Sequence, residues 1–230
     1  MMNIIDIGSG LDEGRGNPIS FLRTYRKFMK GSNVFSIDAS IASLNATRSF
    51  YEQYFTEEDG INFHYLNYAI TDDPDVKSIP FYVSKEEPTC GMNSLSPNHM
   101  RNHGRRDTIE EVEVEALTIN ALLDKLEFTQ VDRLYVDTEG WDAKILLSLD
   151  LYKYLIPFIY FERLHVDGTH QGMEKRGPLA TKLLDKFQKF QYAVTPLREW
   201  DMIATLEPIH GRDLADTDEV KLDENYRWKN

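Results

Sequence analysis

The stretch that most constrains this chain is IIDIGSG, residues 4–10. A short apolar run ends in an acid and enters a Gly-x-Gly turn. Pro18 then opens a helix-like stripe of Phe21, Leu22, Tyr25 and Phe28, predicted over residues 18–30. In an open α/β sheet, a first strand ending this way holds a nucleotide-like ligand. Glycines let backbone N–H groups come close, and an acid such as Asp6 accepts from an ammonium or from water. Gly-x-Gly turns are common, so the remaining chain has to carry the argument.

Strand-like and helix-like segments alternate from there on, which predicts an α/β fold with a mostly parallel sheet and helices on both faces. The strand candidates are residues 33–37, 61–70, 79–83, 111–117, 133–136 and 156–161. Ser40 suits the N-cap of a helix carrying Leu44, Phe50 and Tyr51, and residues 119–126 and 143–151 read as further helices. Leu179, Leu183 and Phe187 mark a late helix, and the runs 192–196 and 202–206 are expected to pair antiparallel. Residues 1–206 are thus expected to form one domain, with 207–230 an acidic, partly loose tail. Residues 85–107 lack periodic apolar positions and read as a long polar loop. Asn93, Ser94, His99 and His103 in it make residues 89–103 a candidate lid on the acceptor side.

Charge narrows the partners. The formal net charge is −12, and the basic cluster Arg101, His103, Arg105, Arg106 is followed at once by Asp107, Glu110 and Glu111. Displacing counterions from nucleic-acid phosphates needs a surplus of Lys and Arg, so nucleic acid is not expected as a partner. A neutral small molecule or a sugar fits this surface better. No run approaches the roughly 20 apolar residues of a membrane span. The start, MMNIIDIGSG, lacks a basic region before an apolar one, so no signal peptide is expected. Cys90 is the single cysteine and forms no internal disulfide, in keeping with an expected cytoplasmic location. Oligomeric state is not legible.

Three further strand ends carry acids. Asp38 closes FSIDAS, where a carboxylate can accept both ribose hydroxyls of an adenosine or else cap the next helix. LYVDTEGWD places Asp137 and Glu139 one residue apart, and crowded carboxylates call for a cation, a metal or a substrate hydroxyl as partner. YFERLHVDGTH ends its strand at Glu162, with His165 just beyond as a candidate general base.

In order, IIDIGSG, FSIDAS, LNYAITDD, VEALTINALLDKL, VDRLYVDTEGWDAKILLSL, PFIYFERLH and FQYAVTPL resemble the FkbM family of methyltransferases across nearly the whole chain. The resemblance implies a Rossmann-like class I methyltransferase fold with an antiparallel C-terminal strand. It also implies S-adenosyl-L-methionine as cofactor and O-methylation of a small molecule or sugar. Carried over residue by residue, cofactor binding falls to Asp6, Gly8, Ser9, Gly10, Asp38 and Ala39, with Asn67 and Ala69 near the adenine. Asp137, Glu139, Glu162 and His165 are the catalytic candidates, the first two preferred as base. The same carboxylates can instead hold Mg²⁺ through oxygen ligands.

Two departures stand out. Gly10 is followed by LDEGRGNPIS, longer than the family's compact glycine run, which leaves the approach of Gly14 or Gly16 open. The chain also starts at its first strand, so access to the site is expected to differ. Two rival readings are a nicotinamide oxidoreductase, which shares the glycines and Asp38, and a non-catalytic binding protein on the same fold. No Tyr-x-x-x-Lys of the short-chain dehydrogenases occurs, and a degenerate site would have lost the strand-end acids that are present here.

Overall fold

The computed structural model describes residues 1–8, 10, 18–102, 108–163, 165–166, 177–197 and 201–206. The main sheet is built from β1 (Asn3–Ile7), β2 (Asn33–Asp38), β3 (Asn62–Asn67), β7 (Arg133–Val136), β8 (Phe158–Glu162), β9 (Ala193–Pro196) and β10 (Asp201–Thr205). Its order is β3-β2-β1-β7-β8-β10-β9. The pairs from β3 to β8 are parallel, and β10 runs antiparallel to both β8 and β9. The predicted α/β sheet with its antiparallel C-terminal pair is therefore the observed one.

Alternation along β1 explains how both faces are covered. Ile5 and Ile7 join the core that holds Leu122, Leu123, Ile145, Leu146, Leu183 and Phe187. Ile4 joins the opposite core with Leu22 and Tyr51. Burying one such side chain stabilises the fold by about 1.5–3 kcal/mol, so the two-faced pattern specifies both layers. The layers are α1 (Ile19–Thr24), α2 (Ile41–Tyr54), α4 (Ile119–Lys125), α5 (Asp142–Ser148) and α6 (Pro178–Lys189). Ser40 caps α2 by accepting from Ser43 N–H at 3.2 Å, as its position predicted. Thr118 does the same for α4 with Ala121 N–H at 3.2 Å.

The structure departs from the sequence-based expectations in three places. The helix expected over residues 18–30 ends at Thr24 and passes into a 3₁₀ turn at Arg26–Phe28, which leaves Phe28 81% exposed. The strand expected over 61–70 is two strands. The Asn67 side-chain amide donates to the carbonyls of Asp38 and Ala39, at 2.8 and 3.0 Å, and β3 stops there. After Tyr68, β4 (Ala69–Thr71) leaves for a second sheet with β5 (Ser78–Ser84) and β6 (Ile109–Thr118), in the order β4-β6-β5. The polar stretch after β5 is not a free loop. Tyr82 and Ser94 pair through backbone hydrogen bonds of 3.0 and 3.2 Å, and α3 (Pro97–Asn102) follows with Met100 and His99 buried. Residues 103–107, with His103, and the tail 207–230 lie outside the described residues, as do Ser9, Gly14 and Gly16. Among the described residues no helix is long and apolar enough to cross a membrane.

Candidate active site

A cleft opens at the carboxyl ends of β1, β2 and β7. Gly8 and Gly10 form one edge, Asp38 and Ala39 a second, and Asp137, Thr138 and Glu139 a third. Gly8 is required at its position. Its φ is +82°, and a Cβ there would lie 1.7 Å from the Asp137 carbonyl oxygen. Its N–H donates to the Ile37 carbonyl at 2.9 Å, while Asp137 N–H donates to Ile7 at 2.9 Å. The turn is thereby pressed between the ends of β2 and β7, which only a residue without a side chain permits.

Asp38 is nearly buried, and its Oδ1 accepts from Ser40 N–H at 2.7 Å. Burial pushes its carboxyl up to about 7, against the opposing effect of that hydrogen bond. Ala69 lines the cleft with Tyr68 and Ile70. Asn67 instead turns its amide to the strand ends and is exposed. Asp6 shares the face of Ile4 and is wholly buried, behind the glycine turn rather than among the lining residues. Neither of its oxygens has a hydrogen-bond partner, and burial, with Asp38 nearby, holds its carboxyl well above the usual range.

The polar stretch after β5 supplies the fourth wall through Cys90, Gly91, Asn93 and Leu95. Asn93 Oδ1 accepts from Ser84 N–H at 3.0 Å, and its amide donates to the Pro88 carbonyl at 2.8 Å. Ser94 Oγ donates to the Glu139 carbonyl at 3.2 Å, tying this wall to the end of β7.

Beyond β7 the acids crowd together. Glu139 takes a left-handed φ of +53°, a conformation costing a non-glycine residue on the order of 1–3 kcal/mol. Gly140 follows at φ +107°. The turn aims the Glu139 carboxylate at two histidines, with Oε2 2.8 Å from His99 Nε2 and 3.5 Å from His165 Nδ1. His165 Nδ1 is also 2.6 Å from Glu162 Oε1, and the two imidazoles meet edge to face at 4.9 Å. Neither Asp137 nor Glu139 caps α5, whose N-cap residue Trp141 makes no side-chain cap bond. Asp142 closes the turn by accepting from Thr138 Oγ1 at 2.9 Å. Asp201 stands opposite Glu162 in the β10–β8 register. Burial first, then Glu162, Glu139, Asp142 and Asp201, drive the Asp137 carboxyl well above its ordinary range. Glu162 is raised by the same causes, and Asp142 reaches about 7 mainly through burial. His165 is lowered by burial, with Glu139 and Asp142 opposing.

The catalytic candidates therefore form one cluster, with Asp137 and Glu139 lining the cleft and Glu162 and His165 packed next to them. His99, Asp142 and Asp201 were missed as members of this group. Asp142 stands within LYVDTEGWD beside the acids singled out there, and His99 was read only as part of a lid. Asp201 has no local signal, because antiparallel pairing alone brings it beside Glu162.

A sheet of this order, with glycines ending its first strand and acids ending the second, fourth and fifth of its parallel strands, defines a Rossmann-like methyltransferase fold. The chain belongs to the FkbM methyltransferase family: the family model described as the methyltransferase FkbM domain matches residues 12–194. Comparison with curated proteins and with solved structures finds no match.

Proposed function

We propose that the protein is an S-adenosyl-L-methionine-dependent O-methyltransferase acting on a hydroxyl of a small molecule or sugar. The observation that carries this reading is the cleft's two-ended construction. At one end are a glycine cradle that a Cβ would fill and the Asp38 carboxylate; at the other is an acid–histidine cluster.

The cradle fits the cofactor. Asp38 would accept from the ribose hydroxyls, and Ala39, Tyr68 and Ala69 would line the adenine's side of the cleft. When bound, the cofactor supplies a methyl group on a sulfonium, open to in-line displacement. The acids beyond β7 favour that positive charge and hold the acceptor. Held in line with the donor, an acceptor gains about 7 kcal/mol or more from proximity alone. Methyl transfer to its oxygen would release the hydroxyl proton, and a base would take it up. Asp137 or Glu139 is the preferred base, with His165, held by Glu162, second. Such a base contributes roughly 10²–10⁴-fold.

Calorimetric titration of the purified protein with S-adenosylhomocysteine and with NAD tests the reading. Binding of the former and not the latter is expected, with a matching rise in melting temperature. Binding of NAD alone would favour an oxidoreductase, and binding of neither a non-catalytic member of the fold.

A further inference from the structure

We propose that His99, Glu139 and His165 form a binding site for one divalent transition-metal ion of the zinc type, at the acceptor end of the cleft. One donor atom from each lies within 4.8 Å of the others. Donors bound about 2.1 Å from one ion stand about 3.0 Å apart at right angles and about 3.4 Å apart at the tetrahedral angle. The distances from Glu139 Oε2 to His99 Nε2 and His165 Nδ1 are 2.8 and 3.5 Å, so both imidazole nitrogens already stand from the carboxylate oxygen at the spacing of ligands around an ion.

Two more observations point the same way. Glu139 Oε2 is buried and accepts no hydrogen bond although His99 Nε2 is so near, and Glu162 Oε2 is likewise buried without one. Buried carboxylate oxygens left so are rare and call for a cation. Glu139 also holds its place through a left-handed backbone, anchored where Ser94 Oγ donates to its carbonyl. The turn directs a carboxylate at two imidazoles from distant elements.

The donor set selects the ion. Two imidazole nitrogens and one carboxylate suit zinc, iron, nickel or cobalt, whereas Mg²⁺ prefers an all-oxygen shell with several waters. The metal anticipated from the carboxylates alone is thus replaced by one bound through histidines. Glu139 and Glu162 together balance a double positive charge. Because Glu139 lines the cleft, the ion stands where an acceptor hydroxyl can reach it and lose its proton more easily. That role rests on the methyltransferase reading, but the site itself does not.

The test uses the full chain, stripped with a chelator and titrated with Zn²⁺ by calorimetry, with elemental analysis of the bound metal. One ion per chain with a dissociation constant at or below about 1 μM is expected. His99→Ala, Glu139→Gln and His165→Ala should each weaken binding at least about tenfold, while His64→Gln, on β3, should not. Glu139→Gln is isosteric, and His165→Gln replaces His165→Ala should the latter fail to fold. Co²⁺ in place of Zn²⁺ should give a visible absorption band that the same variants lose.

No uptake, uptake indifferent to all three substitutions, or Mg²⁺ binding as tightly as Zn²⁺ would each overturn the proposal. Titration of the metal-stripped protein with S-adenosylhomocysteine separates the two readings. Zn²⁺ uptake without cofactor binding keeps the metal site and removes the methyltransferase. Cofactor binding without Zn²⁺ uptake does the reverse.

Discussion

The carboxyl edge of the sheet has two halves built on opposite plans. At the ends of β1 and β2 the cleft wall is shaped by Gly8 and Gly10, with Asp38 as its carboxylate among the described residues. At the ends of β7 and β8 it is almost all ionisable side chain, with Asp137, Glu139, Asp142, Glu162, His165 and His99 within one neighbourhood. Among the described residues the first half is low in charge and, at Gly8, intolerant of volume. The second is crowded with like charges that raise one another's proton affinity, and Glu139 there takes a left-handed backbone. A binding half can be rigid and nearly neutral; a reacting half has to hold charges that only its ligands neutralise.

The contrast can be broken experimentally. The largest effect is expected from Gly8→Ala, whose new methyl would collide with the Asp137 carbonyl at a left-handed φ. A loss of about 3 kcal/mol or more is expected by denaturant unfolding. A midpoint unchanged from wild type would mean that the turn has room to spare.

In the reacting half, Asp137→Asn and Glu139→Gln should lower turnover on a confirmed acceptor by at least about 10²-fold. Affinity for S-adenosylhomocysteine should stay within about threefold, since these groups act mainly in the transition state. Normal turnover in both variants would make the acids structural and move the base to Glu162 and His165.

Asp38→Ala should do the opposite. Cofactor affinity is expected to fall by about 1.5–3 kcal/mol, roughly 10- to 150-fold, in calorimetry. Undiminished affinity would remove the ribose assignment.

A subtler effect follows from the Asp38 carboxyl, which burial raises to about 7. On the proposed reading its ionised form would accept from the ribose hydroxyls, so the protein must lose that proton to bind well below pH 7. Affinity for S-adenosylhomocysteine should therefore rise up to about tenfold from pH 6 to pH 8. In Asp38→Asn the profile should be flat; a slope retained in that variant would assign it to another group.

The smallest change is expected far from both halves. Lys186 on α6 donates to the carbonyls of Leu146, Leu147 and Leu149 at the end of α5. Lys186→Met should cost about 1–2 kcal/mol of stability and leave cofactor affinity untouched. A shift in that affinity would show that the two sides of the sheet communicate.

Much of this was legible in the sequence. Periodicity identified β1, β2, β6, β7, β8 and their helices, because each element buries a face whose spacing is set by its own backbone geometry. The acids at strand ends were legible for the same reason: a doubly wound sheet delivers every parallel strand's carboxyl end to one edge. That logic brought Asp38, Asp137 and Glu139 to the cleft, with Glu162 beside His165 close behind. It could not foresee that Asp6, one residue short of that edge, would point to the opposite core, since a strand's side chains alternate and only pairing decides which face is which. Nor could it separate a polar loop from the wall that α3 and Ser94 build, because Asn93 and Ser84 satisfy that backbone through side-chain contacts without period. The sequence by itself determined the α/β fold and the strand edge that carries the candidate site. Only the tertiary structure decided that His99 meets Glu139 and His165 and that Asp201 stands beside Glu162. Those contacts depend on where distant segments close, and no local pattern encodes that distance.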